Sequence, residues 1–249
     1  MNEAAPERLS LTAGKTRLIL AGGAFLWALA IFLWLQGGLD RAVQIAHEPL
    51  RQIPLLAGAA LAASRYGMTA CVLVYLVLLA RSLGAGGPKD LQKIFLPIVL
   101  SFAMAGAAGD LSKTAFGRPR PFVQYPSEIV PVIRPGTSSL PSGHATKSFA
   151  LILPFAVFAG GGLKKRRMLR GALVAAAAAI AYTRVFLGVH YLGDILAGAG
   201  TAFLFLPLVV LAANALYRRK RVEGARMERL VRVCGLILVG MIFYLVRYS

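Results

Sequence analysis

Three short segments of the sequence carry side chains that can bind and cleave a phosphate ester. They are residues 113–121, residues 141–144 and residues 183–194. Lysine and arginine neutralise phosphate oxygens, a histidine can attack phosphorus, and a second histidine can protonate the group that leaves. Two of the three histidines of the chain, His144 and His190, lie in these segments. The side chains for phosphoryl transfer are therefore present, provided that the fold brings the segments together.

The third segment contains a histidine and a carboxylate at a regular spacing. His190 and Asp194 are four residues apart, which on a helix would place both side chains on one face. Asp194 could then accept a hydrogen bond from one imidazole nitrogen and leave the other nitrogen unprotonated as a nucleophile. A polar pair that merely begins a helix at the level of the lipid headgroups fits the same spacing.

The second segment, Pro141-Ser142-Gly143-His144, precedes a long apolar run. Ser142 is a favourable N-cap, and Gly143 would let a bound anion approach the backbone closely. The free N–H groups at a helix N-terminus form a ready phosphate site, beside which His144 could protonate a leaving alkoxide. An ordinary serine-capped helix with an interfacial histidine is the alternative.

Cations accompany both histidines. Lys113, Arg120 and Arg184 are costly in apolar surroundings and indicate function if they face a bundle interior. Each of them alone is more often a side chain that extends to the membrane surface. Together they can neutralise the phosphate oxygens during in-line transfer. Three further cations could widen this patch for a diphosphate or sugar-phosphate headgroup, or could only contact lipid headgroups: Arg118, Arg134 and Lys147.

The composition is that of a polytopic membrane protein. Of 249 residues, 57% are hydrophobic and 15% are charged, whereas soluble domains have roughly a quarter charged residues. The apolar residues form runs near the ~20 residues that cross a bilayer as a helix, and the alternating strands of a membrane barrel are absent. The net charge of +18 does not indicate nucleic-acid binding, because the basic residues lie in short blocks between apolar runs.

We therefore expect an all-α bundle of six transmembrane helices. The first run is long enough to be a retained helix and not a removed signal peptide. Arg65 interrupts the second run, so a surface helix over 53–63 before a shorter span is also possible. The run 231–246 is short and could form a seventh helix or an interfacial segment. The six candidate spans are 18–36, 55–80, 94–112, 143–162, 169–186 and 190–213.

The loops predict an orientation. Basic blocks at 8–17, 81–93, 164–170 and 218–232 fall on one face of an alternating bundle, which should be cytoplasmic. The long loop 113–140 has five prolines, which favour a fixed, extended path. It lies on the other face, where all three polar segments should also converge. We expect one transmembrane domain over residues 1–249, with the catalytic signature at about 110–200.

Several remaining residues have a structural interpretation. Cys71 and Cys234 lie in apolar segments and should be buried, inert thiols. Asp110, three residues before Lys113, is expected to be an ion-pair partner. His47, next to Glu48 in an outer loop, is expected to be a surface histidine without a catalytic role.

The three segments together resemble the signature of the type 2 phosphatidic acid phosphatase superfamily. The matching patterns are Lys113-x6-Arg120-Pro121, then Pro141-Ser142-Gly143-His144, then Thr183-Arg184-x5-His190-x3-Asp194, in the order that the family has. Thr183 stands where the family usually has serine, and this exchange keeps the hydroxyl group.

The resemblance implies a metal-independent lipid phosphatase without a cofactor. His190 would attack phosphorus to form a phosphohistidine, and Asp194 would orient the imidazole. His144 would protonate the departing lipid oxygen and then activate water. The absence of clustered metal-ligand residues in the sequence agrees with this mechanism. The residues that would hold the phosphate are Lys113, Arg120, Ser142, Gly143 and Arg184.

The resemblance and the topology also imply a location and a class of partner. The enzyme would act in a bacterial inner (plasma) membrane, with its site facing the periplasm or the cell exterior. Its partners would be the bilayer and a phosphorylated lipid: phosphatidic acid, phosphatidylglycerophosphate, undecaprenyl diphosphate or lipid A. The sequence leaves open the choice among them and the oligomeric state. A transporter or channel is the alternative, although such proteins place polar residues near the bilayer midplane and not at helix ends.

Overall fold

The protein is an all-helical bundle in the part of the chain that the structure describes. A computed structural model describes residues 9–136, 138–158, 163–219, 222 and 224–248. Within these ranges no strand occurs, as the sequence predicts, and a single 3-10 turn covers Lys89–Leu91. The helices are α1 (Ala13–Gln36), α2 (Gly38–Arg51), α3 (Pro54–Leu83), α4 (Gln92–Phe116), α5 (Pro121–Gln124), α6 (Gly143–Phe158), α7 (Leu163–Phe186), α8 (Leu192–Arg219) and α9 (Gly224–Tyr248).

Six described helices are long and apolar enough to cross a membrane: α1, α3, α4, α7, α8 and α9. The C-terminal run is therefore a full 25-residue helix, longer than the predicted segment 231–246. Helix α6 is equally apolar but has 16 described residues, or about 24 Å. Its predicted end at residue 162, like Arg8, Lys220 and Arg221 of the basic blocks, lies outside the described residues. The chain is an integral membrane protein with seven apolar helices in the described ranges.

The region between the first two spans differs from the prediction. Helix α3 is continuous, so the alternative of a separate surface helix over 53–63 is wrong. Arg65 causes no break because it lies on an exposed side of α3, with its guanidinium over the ring of Tyr66. The amphipathic helix is α2 instead, in a segment predicted to be a loop. It lies at the same end of the bundle as the polar segments.

Helix α6 occupies the middle of the bundle, against α4, α7 and α8. Its start is pressed against α8 at Gly198, where an added Cβ would lie 2.7 Å from the carbonyl oxygen of Ser142. Only a glycine allows this approach, which is the small-residue packing expected between membrane helices. Helix α9 packs against both α3 and α4, which contact each other little. The C-terminal helix is therefore part of the bundle and not an interfacial appendage.

The predicted convergence of the three polar segments is confirmed. The C-terminal ends of α4 and α7 and the N-terminal ends of α6 and α8 meet at one end of the bundle. Gly117 follows the last residue of α4, and its N–H donates to the Lys113 carbonyl. Its left-handed backbone (φ 58°) turns the chain sharply. The basic segment 81–93 lies at the other end of α4. Distant parts of the sequence therefore form one polar site.

Candidate active site

A cavity of about 130 Å³ opens between the converging helix ends. The predicted site residues Asp194 and Ser142 lie behind its wall, where both are completely buried. Helix α9 contributes Tyr244 and Leu245, which sequence reasoning did not place at the site. The other six predicted site residues line the cavity directly: Lys113, Arg120, Gly143, His144, Arg184 and His190.

His190 lies in the turn between α7 and α8 and is 2% exposed. Its Nδ1 is 3.3 Å from Oδ2 of Asp194, and its Nε2 is 3.2 Å from Nη1 of Arg120. Its carbonyl oxygen accepts a hydrogen bond of 2.7 Å from the side chain of Gln44 on α2. The imidazole is thus held on both sides, with Nδ1 toward a carboxylate and Nε2 toward a cation at the cavity.

The pairing of His190 with Asp194 has a different origin from the predicted one. Helix α8 begins only at Leu192, so the two side chains do not share a helix face. Asp194 lies in the first turn instead, where Oδ2 accepts the N–H of Tyr191 at 2.8 Å and the hydroxyl of Ser139. A carboxylate that caps a helix start is stabilised by the free N–H groups and by the helix dipole. The cap brings Asp194 back to the histidine that precedes the helix.

Arg118 holds the other oxygen of Asp194, a role that sequence reasoning missed. Its Nη1 donates to Oδ1 of Asp194 at 2.8 Å, and its Nη2 donates to Oδ2 of Asp40 at 2.8 Å. The guanidinium lies 4.0 Å from the centre of the Tyr191 ring and is 2% exposed. Asp40, on α2, also accepts the N–H of Gly193 at 3.1 Å. A buried chain therefore runs from Asp40 through Arg118 and Asp194 to His190.

Burial controls the protonation of His190. It lowers the pKa of His190 to about 3, the hydrogen bond to Asp194 opposes this shift, and the positive charge of Arg120 adds to it. Loss of hydration therefore outweighs the attraction of the carboxylate. The imidazole is neutral at pH 7, which is the form in which a nitrogen can act as a nucleophile.

The lowered pKa makes stability depend on pH in a defined direction. Between the folded pKa of about 3 and the unfolded value near 6.5, the unfolded chain binds more protons, so acid destabilises the fold. Relative to a His190→Gln variant, the wild type should lose about 2–3 kcal/mol of unfolding free energy between pH 7.5 and pH 4.5. Denaturant unfolding in detergent at both pH values measures this. An equal change in unfolding free energy for the two proteins would mean that His190 keeps an ordinary pKa.

Among the described residues, two arginines line the cavity next to the histidines, Arg120 and Arg184. Nη1 of Arg120 also donates to the carbonyl of Val189 at 2.8 Å, which fixes the guanidinium beside the imidazole. Arg184 donates from Nη1 to the hydroxyl of Ser64 at 2.9 Å, and its buried Nε has no hydrogen-bond partner among the described residues. Both guanidiniums are buried, which is costly without an anion close by. Their arrangement fits a tetrahedral oxyanion in the cavity.

The start of α6 forms the opposite wall. As predicted, Ser142 caps the helix, because its hydroxyl accepts the N–H of Ala145 at 3.4 Å. A Cβ on Gly143 would lie 3.2 Å from Nζ of Lys113, so glycine lets this ammonium reach the helix N-terminus. Nε2 of His144 is buried at the cavity and lacks a hydrogen-bond partner within the described ranges. A buried polar atom of this kind is suited to a group of the substrate.

The three additional cations occupy different places. Arg118 is buried behind Asp194, so it does not widen the cavity, contrary to one alternative from the sequence. Arg134 is exposed, lies 5.5 Å from the centre of the Phe122 ring and is not one of the residues that line the cavity. Lys147 alone of these three lines the cavity. Asp110 pairs with Lys113 at 3.4 Å, as predicted.

Other polar groups considered from the sequence lie away from the cavity. His47 bonds to the Val43 carbonyl and to the Tyr182 hydroxyl on the outer side of α2. The hydroxyl of Thr183 donates to the carbonyl of Ile180 in its own helix. Cys71 and Cys234 are free thiols, with Cys234 buried and Cys71 half-buried. In the described part of the chain, no three His, Cys, Asp or Glu side chains come close enough to form a metal site.

Comparisons with known proteins identify the fold and the family of the chain. No curated protein matches the chain. The fold is similar to the crystal structure of a transmembrane PAP2-type phosphatidylglycerolphosphate phosphatase from Bacillus subtilis, with a TM-score of 0.58 and 21% sequence identity. That likeness covers 84% of this chain and 98% of the other. The sequence profile of the PAP2 superfamily matches residues 94–246, which include every predicted site residue, and the chain therefore belongs to the PAP2 superfamily.

Proposed function

We propose that this protein is a metal-independent lipid phosphatase that works through a phosphohistidine intermediate. One observation carries the proposal: a neutral, oriented imidazole, His190, faces a cavity lined by four cations and by the unpaired Nε2 of His144, within the part of the chain that the structure describes. This arrangement offers a nucleophile, an anion site and a proton donor in one place. The lipid bilayer around the bundle makes a phosphorylated lipid the natural substrate, and the similar Bacillus subtilis protein is named as a lipid phosphatase.

In the first half of the reaction, Nε2 of His190 attacks phosphorus. A bond forms between Nε2 and phosphorus, the bond from phosphorus to the lipid oxygen breaks, and the electron pair goes to that oxygen. Asp194, 3.3 Å from Nδ1, stabilises the positive charge that the imidazole acquires. Arg120, Arg184 and Lys113 neutralise the three oxygens in the plane of the transition state.

His144 completes both halves of the reaction. In its imidazolium form, His144 gives the proton of Nε2 to the lipid oxygen as the bond breaks, so that the lipid leaves as an alcohol and His144 becomes neutral. Neutral His144 then removes a proton from water, which attacks the phosphohistidine and releases inorganic phosphate. The free N–H groups at the start of α6, beside Ser142 and Gly143, hold the phosphate throughout. The mechanism requires no cofactor.

Charge in the loops supports a membrane orientation. The described basic segments 81–93 and 167–170 lie at the end of the bundle opposite the cavity. Short loops rich in lysine and arginine stay in the cytoplasm. We therefore propose a bacterial inner membrane as the location, with the cavity facing the periplasm or the cell exterior.

A phosphate-release assay tests the function directly. Protein purified in detergent is incubated with phosphatidic acid, phosphatidylglycerophosphate, undecaprenyl diphosphate and lipid A, each with and without a metal chelator. The proposal predicts release from at least one lipid, at a rate that the chelator does not change. Release from none of the four would contradict a lipid phosphatase. Activity lost with chelator and restored by Mg²⁺ would contradict the metal-free mechanism.

The proton donor is tested by varying the leaving group. Because His144 protonates the departing oxygen, His144→Ala should slow cleavage of an alkyl phosphate by roughly 10²–10⁴-fold. An aryl phosphate with an acidic phenol as leaving group needs little protonation and should lose much less in the step that forms phosphohistidine. Burst kinetics with both substrates measure that step. An identical loss for the two leaving groups would remove His144 as the acid.

A further inference from the structure

One cation of the cavity has no part in the proposed phosphohistidine mechanism. Lys147 lines the cavity from α6, three residues after His144, and its side chain is 15% exposed. Lys147 is not part of the three-segment signature. Its Nζ donates a hydrogen bond of 2.8 Å to the hydroxyl of Tyr244 on α9. Asp110 is 3.6 Å away on α4. Residues from three helices therefore meet around this ammonium group.

The position of Lys147 is defined by packing. A Cβ on Gly106 would lie 3.5 Å from Cε of Lys147, so the side chain crosses α4 at a glycine. The ring of Tyr244 lies 5.1 Å from Nζ and packs edge-on against Phe102 of α4. The ammonium is thus held on the cavity wall by a tyrosine that is itself held in place.

The charge at this wall exceeds what one phosphate needs. A terminal phosphate carries about two negative charges at pH 7, and Lys113, Arg120 and Arg184 already surround the reacting group. Asp110 lies between Lys113 and Lys147, at 3.4 Å and 3.6 Å, and balances the surplus charge. Its side chain is 51% exposed, so it can turn toward solvent when another anion takes its place.

Lys147 lies on the same helix as His144, the proposed proton donor to the leaving group. Helix α6 runs from the cavity into the bundle, so Lys147 is about 4.5 Å further along the axis than His144. Because His144 is the proposed donor to the departing oxygen, the group that leaves should lie beside this helix. The part of a substrate beside Lys147 is therefore the group that joins the reacting phosphate to the tail.

We infer that Lys147 and Tyr244 bind the second phosphate of a lipid diphosphate, which makes lipid diphosphates the preferred substrates. This inference rests on the proposed function. Nε2 of His190 bonds to the terminal phosphorus, the phosphoanhydride bond breaks, and its electrons go to the bridging oxygen of the departing lipid monophosphate. The ammonium of Lys147 neutralises the phosphate of this departing lipid monophosphate, and the hydroxyl of Tyr244 donates a hydrogen bond to the same phosphate. Water then releases the terminal phosphate from His190.

Two substrates with the same lipid tail test the inference. A polyprenyl diphosphate and the polyprenyl monophosphate of equal chain length are assayed with wild type, Lys147→Met and Tyr244→Phe. Lys147→Met should lower kcat/KM for the diphosphate by about 10- to 100-fold, the worth of a hydrogen bond to a charged group. The value for the monophosphate should change little, and this activity also shows that the variant is folded. Tyr244→Phe should act in the same direction with a smaller effect.

Matched variants complete the experiment. Lys147→Arg keeps the charge and should keep the preference for the diphosphate. Lys89→Met removes the same side chain at the other end of the bundle, where Lys89 pairs with Glu228, and should leave both activities unchanged. An equal loss on both substrates, or no loss on either, overturns the second-phosphate site. A wild type that releases phosphate from neither lipid would instead refute the proposed function itself.

Discussion

His190→Ala should reduce phosphate release by about 10⁴- to 10⁶-fold, the loss expected when a nucleophile is removed from a site whose parts act together. The variant keeps the four cations that line the cavity in the described ranges, and it keeps His144, so it should still bind the substrate. The variant lacks the neutral Nε2 of His190, which lies 3.2 Å from Nη1 of Arg120 at the cavity. Steady-state release of phosphate from the best substrate of the lipid screen measures the effect.

The same variant tests the covalent intermediate. Wild type mixed with a lipid labelled in its terminal phosphate, then quenched in alkali, should retain label on the protein, whereas His190→Ala should retain none. His47→Ala is the matched control, because His47 lies on the outer side of α2 and bonds to Tyr182. It should behave as wild type in both assays. Near-normal turnover by His190→Ala would rule out the phosphohistidine mechanism.

The sequence is sufficient to predict the meeting of the three polar segments. Apolar runs of about 20 residues are membrane helices, and successive helices alternate in direction, so the count of spans decides which ends lie together. Residues such as Lys113 and His190 are therefore assigned to one surface without any knowledge of their contacts. The sequence also predicts the role of Ser142, which caps α6 as its residue type and its position before the apolar run indicate.

The support behind the site could not be predicted in the same way. Arg118 is two residues from Arg120 and has the sequence environment of another surface cation. Its burial depends on Asp40, which lies 78 residues earlier, in a helix that no hydrophobic run marks. In the sequence, Pro49 and the polar residues of α2 favour a loop. The signal that could have revealed the helix is the amphipathic periodicity of this segment. Long-range ion pairs leave no local pattern.

The sequence leaves open whether the C-terminal run spans the membrane, for a physical reason. Residues 224–230 include several charged side chains, which shorten the apolar run and make an interfacial segment plausible. In the structure α9 continues through them, because its apolar residues pack against α3 and α4. Tertiary contacts therefore decide what hydropathy alone leaves open. The same packing brings Tyr244 to the cavity and creates the environment of Lys147.

Asp194→Asn should lower kcat by about 10³- to 10⁴-fold, with little change in KM, because Asp194 orients the nucleophile and does not contact the phosphate. The amide would present N–H groups toward Nδ1 of His190 and place the imidazole proton on Nε2, the atom that must attack. Asparagine has nearly the same shape, and Arg118 keeps its ion pair with Asp40, so the fold should survive. Kinetics in detergent, with the burst of phosphoenzyme formation, separate this loss from weaker binding.

Asp40 should influence the reaction only through Asp194. Asp40→Asn keeps an acceptor for the N–H of Gly193 but loosens Arg118, and should lower kcat by roughly tenfold. Since Asp40, Arg118 and Asp194 form one buried chain, the double variant with Asp194→Asn should be no slower than Asp194→Asn alone. Additive losses would show that Asp40 affects the site by another route. Non-additive losses with an unchanged KM indicate that α2, which precedes the matched family region, helps to aim the nucleophile.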